Sequence, residues 1–260
     1  MDRSIRLWLI LAFVLLALIE VQAQGSESGL CLEANVEKKI NKSFSIGMEA
    51  DLRTRNDFKT MDRWSVGLDA TYKFNKWLKT DVGYLLLNSN YREKTENYVS
   101  DAGNAKIKWR PSYWGIRHRA YASFTGTYKF SNGIKLSLRE RWQYTYRPEA
   151  SPTRYRLKVS DKTMELDEDY LREGKGKNQL RSRFQIEYDK KGALFTPYAS
   201  VELYNSWGIE KVRYTAGTDI SLNKQHSFSV FYRFQNMRNA DDDDYDPDMH
   251  YLGLGYKFKF

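Results

Sequence analysis

The chain has one cysteine, Cys31, among 260 residues, which excludes an intramolecular disulfide framework and a Cys-rich zinc site. Long apolar runs are missing beyond the first segment. A mean hydropathy of −0.70 excludes a bundle of membrane helices, each of which needs about 20 apolar residues. With five prolines and no Pro/Gly-rich linker, nothing divides the chain, and one domain is expected. Lys and Arg exceed Asp and Glu by nine, but the excess is spread along the chain and forms no basic stripe, so no nucleic-acid partner is expected. There is no Gly-rich phosphate loop and no zinc-ligand spacing, and no cofactor is expected. Aromatic rings, in contrast, are abundant. The 19 Tyr, 13 Phe and 7 Trp are far too many for a chain that stays disordered.

Arg3 and Arg6 precede a thirteen-residue apolar run, Leu7 to Ile19, and Val21 and Ala23 stand at the small-residue spacing of a cleavage site before Gln24. Residues 1–23 therefore read as an export signal and 24–260 as the mature domain. As a helix, thirteen residues at about 1.5 Å each fall short of a hydrocarbon core about 30 Å thick, which disfavours a permanent anchor.

In the mature chain the hydrophobic period is two. Leu252, Leu254, Tyr256, Phe258 and Phe260 share one face, and Gly253, Gly255, Lys257 and Lys259 share the other. The same alternation recurs in eleven segments, near 30–40, 43–55, 62–74, 77–91, 115–130, 133–147, 178–189, 193–206, 210–222, 226–238 and 248–260. Short Asn- and Gly-containing turns join neighbours as antiparallel hairpins, and longer polar stretches intervene near 92–114, 148–177 and 239–247. The polar face is densely ionic, the segments are long, and rings cap their ends. These features predict an all-β fold, a transmembrane antiparallel up-and-down barrel of 10 to 12 strands in the outer membrane of a Gram-negative-type bacterium. Eleven antiparallel strands would bring the first and last together in parallel. Either the 30–40 segment is a partial strand and ten full strands close the barrel, or a twelfth lies within 92–114, around Ala105 to Arg110; twelve is preferred.

Phe260, with rings and leucines at the four preceding alternate positions, resembles the last-strand signal read by the barrel assembly machinery. That machinery, outer-membrane lipid and lipopolysaccharide are the expected partners. The stretch Asn35-Val36-Glu37-Lys38-Lys39-Ile40-Asn41-Lys42, then Phe44, Ile46, Met48 and Glu49 to Arg53, with the closing Gly255-Tyr256-Lys257-Phe258, resembles domain-of-unknown-function family 2490 of outer-membrane barrels. The resemblance implies a fold and a location but no activity.

By parity Glu33, Glu37, Glu49, Asp51, Asp69, Asp81, Glu187, Glu202 and Asp219 face inward, against about twice as many cations. Arg117, Arg119, Arg139, Arg141, Arg181 and Arg183, from three consecutive barrel segments, form a basic band suited to carboxylate or phosphate. Acids of the first two strands are expected to neutralise much of this band, leaving a charged lumen largely filled by side chains and a structural or narrow, porin-like transport or ligand-binding role. The alternative is a lipid-modifying hydrolase. Small outer-membrane barrels that act on lipids resemble one another in a His-x-Ser pair, which is absent here: Ala120, Phe228 and Leu252 stand two positions after His118, His226 and His250. In the acidic run 241–248, Asp242, Asp244, Asp246 and Asp248 are candidate calcium ligands, because hard cations take clustered carboxylates, but the EF-hand spacing is lacking.

Overall fold

A computed structural model describes residues 25–99, 105–158, 163–190, 192–238 and 246–260, so the predicted export signal lies outside the described residues. The eleven alternating segments all become barrel strands. They are β1 (Ser26–Lys39), β2 (Phe44–Arg55), β3 (Thr60–Lys73), β4 (Leu78–Tyr91), β7 (Tyr113–Lys129), β8 (Ile134–Arg147), β11 (Lys175–Tyr188), β12 (Phe195–Asn205), β13 (Ile209–Ser221), β14 (His226–Met237) and β15 (Asp248–Lys259). Four short strands, β5 (Lys94–Val99), β6 (Ala105–Arg110), β9 (Tyr155–Lys158) and β10 (Thr163–Leu166), form a separate sheet in the order β10-β9-β6-β5. Among the described residues no helix is long and apolar enough to cross a membrane.

The preferred count of twelve is corrected to eleven. A strand does occupy Ala105–Arg110, but it pairs with β5 and β9 and stays out of the wall. β4 meets β7 directly from Tyr91↔Tyr113 to Leu78↔Gly126, which leaves no position for another strand between them. The barrel closes through a parallel seam, β1 against β15, in register from Ser26↔Asp248 to Glu37↔Lys259. The other neighbouring wall strands pair antiparallel.

Four of the short turns share one device. The side-chain oxygens of Asn41, Asn75, Asn132 and Asn223 accept hydrogen bonds from backbone amides two or three residues on, which pins each reversal. These turns and Phe260 ring one end of the barrel, where the Phe260 carbonyl accepts from the Lys39 amide at 2.9 Å. The excursions 92–112, 148–174 and 238–247 leave from the other end, and so does the start of β1.

Outward residues form a continuous apolar band that includes Val66, Leu68, Val82, Leu138, Phe184, Leu252 and Leu254, all exposed. Rings border it at the short-turn end (Phe74, Trp77, Tyr128, Phe130, Tyr188, Phe260) and at the long-loop end (Trp114, Tyr144, Tyr146, Trp207). Among the described residues nothing covers this band.

The lumen is packed unevenly. Its long-loop half holds large, almost wholly buried side chains, among them Leu87, Tyr91, Tyr204, Met249, Tyr251, Arg53 and Arg55. Tyr91 stacks on Tyr113 with centroids 5.1 Å apart, Arg172 lies 4.3 Å over the Tyr91 ring, and Arg92 grips Glu27 through two hydrogen bonds of 2.6 and 2.9 Å. Just below, Phe231 lies flat on Gly253, where a Cβ would come within 2.0 Å of the ring. Only glycine lets that ring reach the wall beside Cys31, Met249 and Tyr251.

Candidate functional site

Below this packing the lumen encloses a cavity of about 1180 Å³, lined by residues from Lys39, Lys73 and Lys259 near Phe260 up to Arg53, Leu87 and Tyr204 of the packed half. With the opposite half packed, the space is a cup opening beside Phe260. All nine acids assigned inward by parity line it, and so do Arg119, Arg139, Arg141, Arg181 and Arg183. Arg117 is not among its lining residues. It sits higher in β7, hydrogen-bonded to Ser89 at 2.5 Å and 5.5 Å from the Tyr91 ring centre.

The lining charge is uneven: acids and cations balance on the side formed by β1 to β4, whereas cations are in excess on the side formed by β7 to β15. On the side formed by β1 to β4, Asp51 binds Arg53 and Arg63, each at 3.0 Å, Glu33 binds Arg233 at 3.0 Å, and Glu37 binds Lys257 at 2.9 Å. Glu49 and Asp69 have no cation within 4.0 Å among the described residues. The expected neutralisation of the arginine band by acids of β1 and β2 is therefore corrected, because those acids are held by other cations. The band is gathered instead around Glu202 of β12, which takes Arg139 at 2.6 Å, Arg181 at 2.9 Å, Arg213 at 3.4 Å and the Tyr204 hydroxyl at 2.9 Å.

One carboxylate does not balance this cluster. Arg181 stands directly across from Arg141, and Arg183 from Arg139, in the β8–β11 pairing, and like charges placed opposite each other destabilise a sheet. Arg141 rests 3.9 Å over the Tyr121 ring, and neither Arg141 nor Arg183 has a carboxylate within 4.0 Å among the described residues. The Nε atoms of Arg139, Arg141, Arg181, Arg183 and Arg213 are buried without an acceptor. Arg141 and Arg183 line the cup without a carboxylate partner among the described residues, and such guanidinium groups suit carboxylate or phosphate oxygens.

The calcium proposal finds no support among the described residues. Asp242 and Asp244 lie outside them. Asp248 closes the β14–β15 hairpin by accepting from the Met237 amide at 2.7 Å and the Asn236 side chain at 2.9 Å, and Asp246 lies 3.7 Å from Arg92. Cys31, Glu33 and Asp51 do converge within 4.8 Å, but Arg233 and Arg53 already donate into that group, so cations occupy the place a metal would take.

The outward histidines each meet a tyrosine: His118 with Tyr84 at 2.5 Å, His226 with Tyr256 at 2.8 Å and His250 with Tyr232 at 2.5 Å. Each pair lies diagonally across neighbouring strands, so a polar ring on the apolar face has a polar partner. Parity reading overlooked one outward acid. Glu140, between exposed Leu138 and Trp142, accepts a 2.6 Å hydrogen bond from Ser182. Its inward neighbours Arg139 and Arg141 were the signal that would have revealed it.

The sequence profile of a family described as a protein of unknown function, DUF2490, matches residues 28–246. The chain belongs to the DUF2490 family. No curated protein matches it. Among solved structures it is similar to the beta domain of the Bordetella autotransporter BrkA, at 13% identity and TM-score 0.49, covering 85% of this chain and 86% of that one. It is also similar to the CymD monoaromatic hydrocarbon channel, at 10% identity and TM-score 0.37, covering 76% and 65%.

Proposed function

We propose that this DUF2490 protein is an integral outer-membrane barrel, exported by residues 1–23, whose lumen is a cup that opens to the periplasm and binds a small anionic solute on the arginine bank of β8, β11 and β13. The membrane reading is supported by the uncovered apolar band and its two borders of rings, since a closed barrel satisfies its backbone groups without water. Short turns at the Phe260 end and long excursions at the other follow the asymmetry of such barrels, with the short turns in the periplasm. The alternating face of β15, with Leu252, Leu254, Tyr256, Phe258 and Phe260, is the surface offered to the assembly machinery, and the outer leaflet around the long loops brings lipopolysaccharide. The mature protein is expected to sediment with the outer membrane and to run faster on a gel unheated than boiled. Full-length protein in a detergent-free soluble fraction would contradict this.

Anion binding rests on one observation, the two cross-strand Arg–Arg pairs sharing the single carboxylate of Glu202. A ligand that binds only the folded barrel stabilises it by RT ln(1 + [L]/Kd). Pyrophosphate serves as the probe, with sodium chloride at matched ionic strength as the control. The temperature of the gel-mobility transition should rise with pyrophosphate, and Arg183→Gln or Arg141→Gln should weaken the apparent affinity at least tenfold. Equal shifts with pyrophosphate and matched chloride, or unchanged binding in both variants, would overturn the assignment.

A further inference from the structure

The two ends of the barrel differ in charge. Lys42, Lys76, Lys190 and Lys224 stand in four of the five short turns, and the one acid of those turns, Asp189, is held by Lys129 at 2.7 Å. The long excursions at the other end are rich in acids, Glu165, Asp167 to Asp169 and Asp241 to Asp244 among them. Lys38 joins the short-turn group from the wall itself. It follows Leu30, Leu32, Ala34 and Val36 as the last outward residue of β1. All five lysines are exposed, and none has a carboxylate within 4.0 Å among the described residues. Two of them lie on rings that border the apolar band: Lys38 Nζ is 5.5 Å from the centre of the Phe260 ring, and Lys76 Nζ is 4.9 Å from that of Trp77. An ammonium group beside such rings, at the edge of the band, sits where acyl chains give way to headgroups.

We propose that these five lysines form a collar that binds anionic glycerophospholipids of the periplasmic leaflet through their headgroup phosphates. The inference rests on the membrane reading above, which puts the short turns at that leaflet. A phosphate diester carries one negative charge, and lysine meets it as a point charge that demands no single geometry. In a zwitterionic headgroup the lipid's own ammonium offsets that charge; in phosphatidylglycerol nothing does. Placement favours a leaflet over a soluble polyanion. The turns that carry Lys42, Lys76, Lys190 and Lys224 join β1 to β2, β3 to β4, β11 to β12 and β13 to β14, so the charges are spread around the rim and form no single patch. Lys38 lies on the outer wall beside Phe260, where the surrounding lipid reaches it. Lys39, Lys73 and Lys259 line the cup and belong to its mouth instead.

The test uses the protein purified from bacterial outer membranes into phosphatidylcholine bilayers, with traces of spin-labelled phosphatidylglycerol or phosphatidylcholine reporting which lipid the barrel holds at its boundary. At low salt the parent should hold phosphatidylglycerol at least about threefold more strongly, and molar sodium chloride should abolish the preference by screening. Lys38→Gln, Lys42→Gln, Lys76→Gln, Lys190→Gln and Lys224→Gln together should remove the preference while the heat-dependent gel shift of the folded barrel persists. Lys38→Gln with Lys76→Gln, a milder second variant, should lower it by half. Lys94→Gln, Lys106→Gln and Lys108→Gln, in the long-loop sheet, should leave it unchanged. Soluble glycerol phosphate, against sodium chloride at matched ionic strength, should not compete, because the collar binds phosphates presented by a leaflet. Equal holding of the two lipids by the parent, a preference undiminished in both collar variants or lost in the long-loop variant, or displacement by glycerol phosphate would each overturn the collar. A parent chain that neither enters the membrane nor shows the gel shift would instead count against the membrane reading.

Discussion

Replacing Glu202 by leucine should destabilise the barrel by about 3 to 5 kcal/mol, because removing one partner of a buried ionic cluster leaves the others uncompensated. Glu202 is the carboxylate shared by Arg139, Arg181 and Arg213, and its side chain is only 5% exposed. Without it, three guanidinium groups face Arg141 and Arg183 with no counter-charge. Urea unfolding in detergent micelles or vesicles, followed by the gel shift, would measure the loss. Adding Arg181→Met to Glu202→Leu should restore part of it by removing one stranded charge, which simple loss of packing volume would not do. A Glu202→Leu barrel as stable as the parent would mean that the arginines are already neutralised by something else.

The second large effect lies on the opposite face. Leu254→Arg or Leu252→Arg should cost about 2 to 4 kcal/mol, the penalty for a cation near the bilayer midplane on a barrel's outer face. Both leucines are more than half exposed in the free barrel, at 55% and 56%, and would meet acyl chains. Lys257→Gln, on the lumen face of the same strand, removes a 2.9 Å pair with Glu37 in which the lysine side chain is 41% exposed. A partly solvated pair of this kind is worth about 1 kcal/mol or less. Unfolding from vesicles would rank the three variants, and equal costs would reverse the assignment of faces.

Much of this architecture is legible in the sequence because one physical rule, alternation, acts locally. Every barrel strand coincides with an alternating segment, and the nine acids and the arginines placed inward by parity are inward. The closure is not local. Whether β1 meets β15 in parallel or a twelfth strand intervenes depends on pairing between the two ends of the chain, which no short window contains. Periodicity makes Ala105–Arg110 a strand but cannot tell which sheet that strand joins, and so it suggests a wall strand where the structure has none. The electrostatics fail for a related reason. Parity puts Glu202 and Glu33 on the same face, but only three-dimensional register reveals that Glu202 takes three arginines while Glu33 takes Arg233. Glu140 differs, since it was readable between Arg139 and Arg141. A search for charges inside the barrel passes over one that points out.

The cup's orientation is tested most directly by a cysteine inside it. Ser137 lines the cavity at the short-turn end of β8, and Ser137→Cys in a Cys31→Ser background places one thiol there. A charged, membrane-impermeant maleimide applied to intact cells should leave this thiol unmodified. The same reagent applied after the outer membrane is breached should modify it, and pyrophosphate should slow that reaction. Rapid modification in intact cells would contradict the account, because the cup would then open to the outside or run through the barrel.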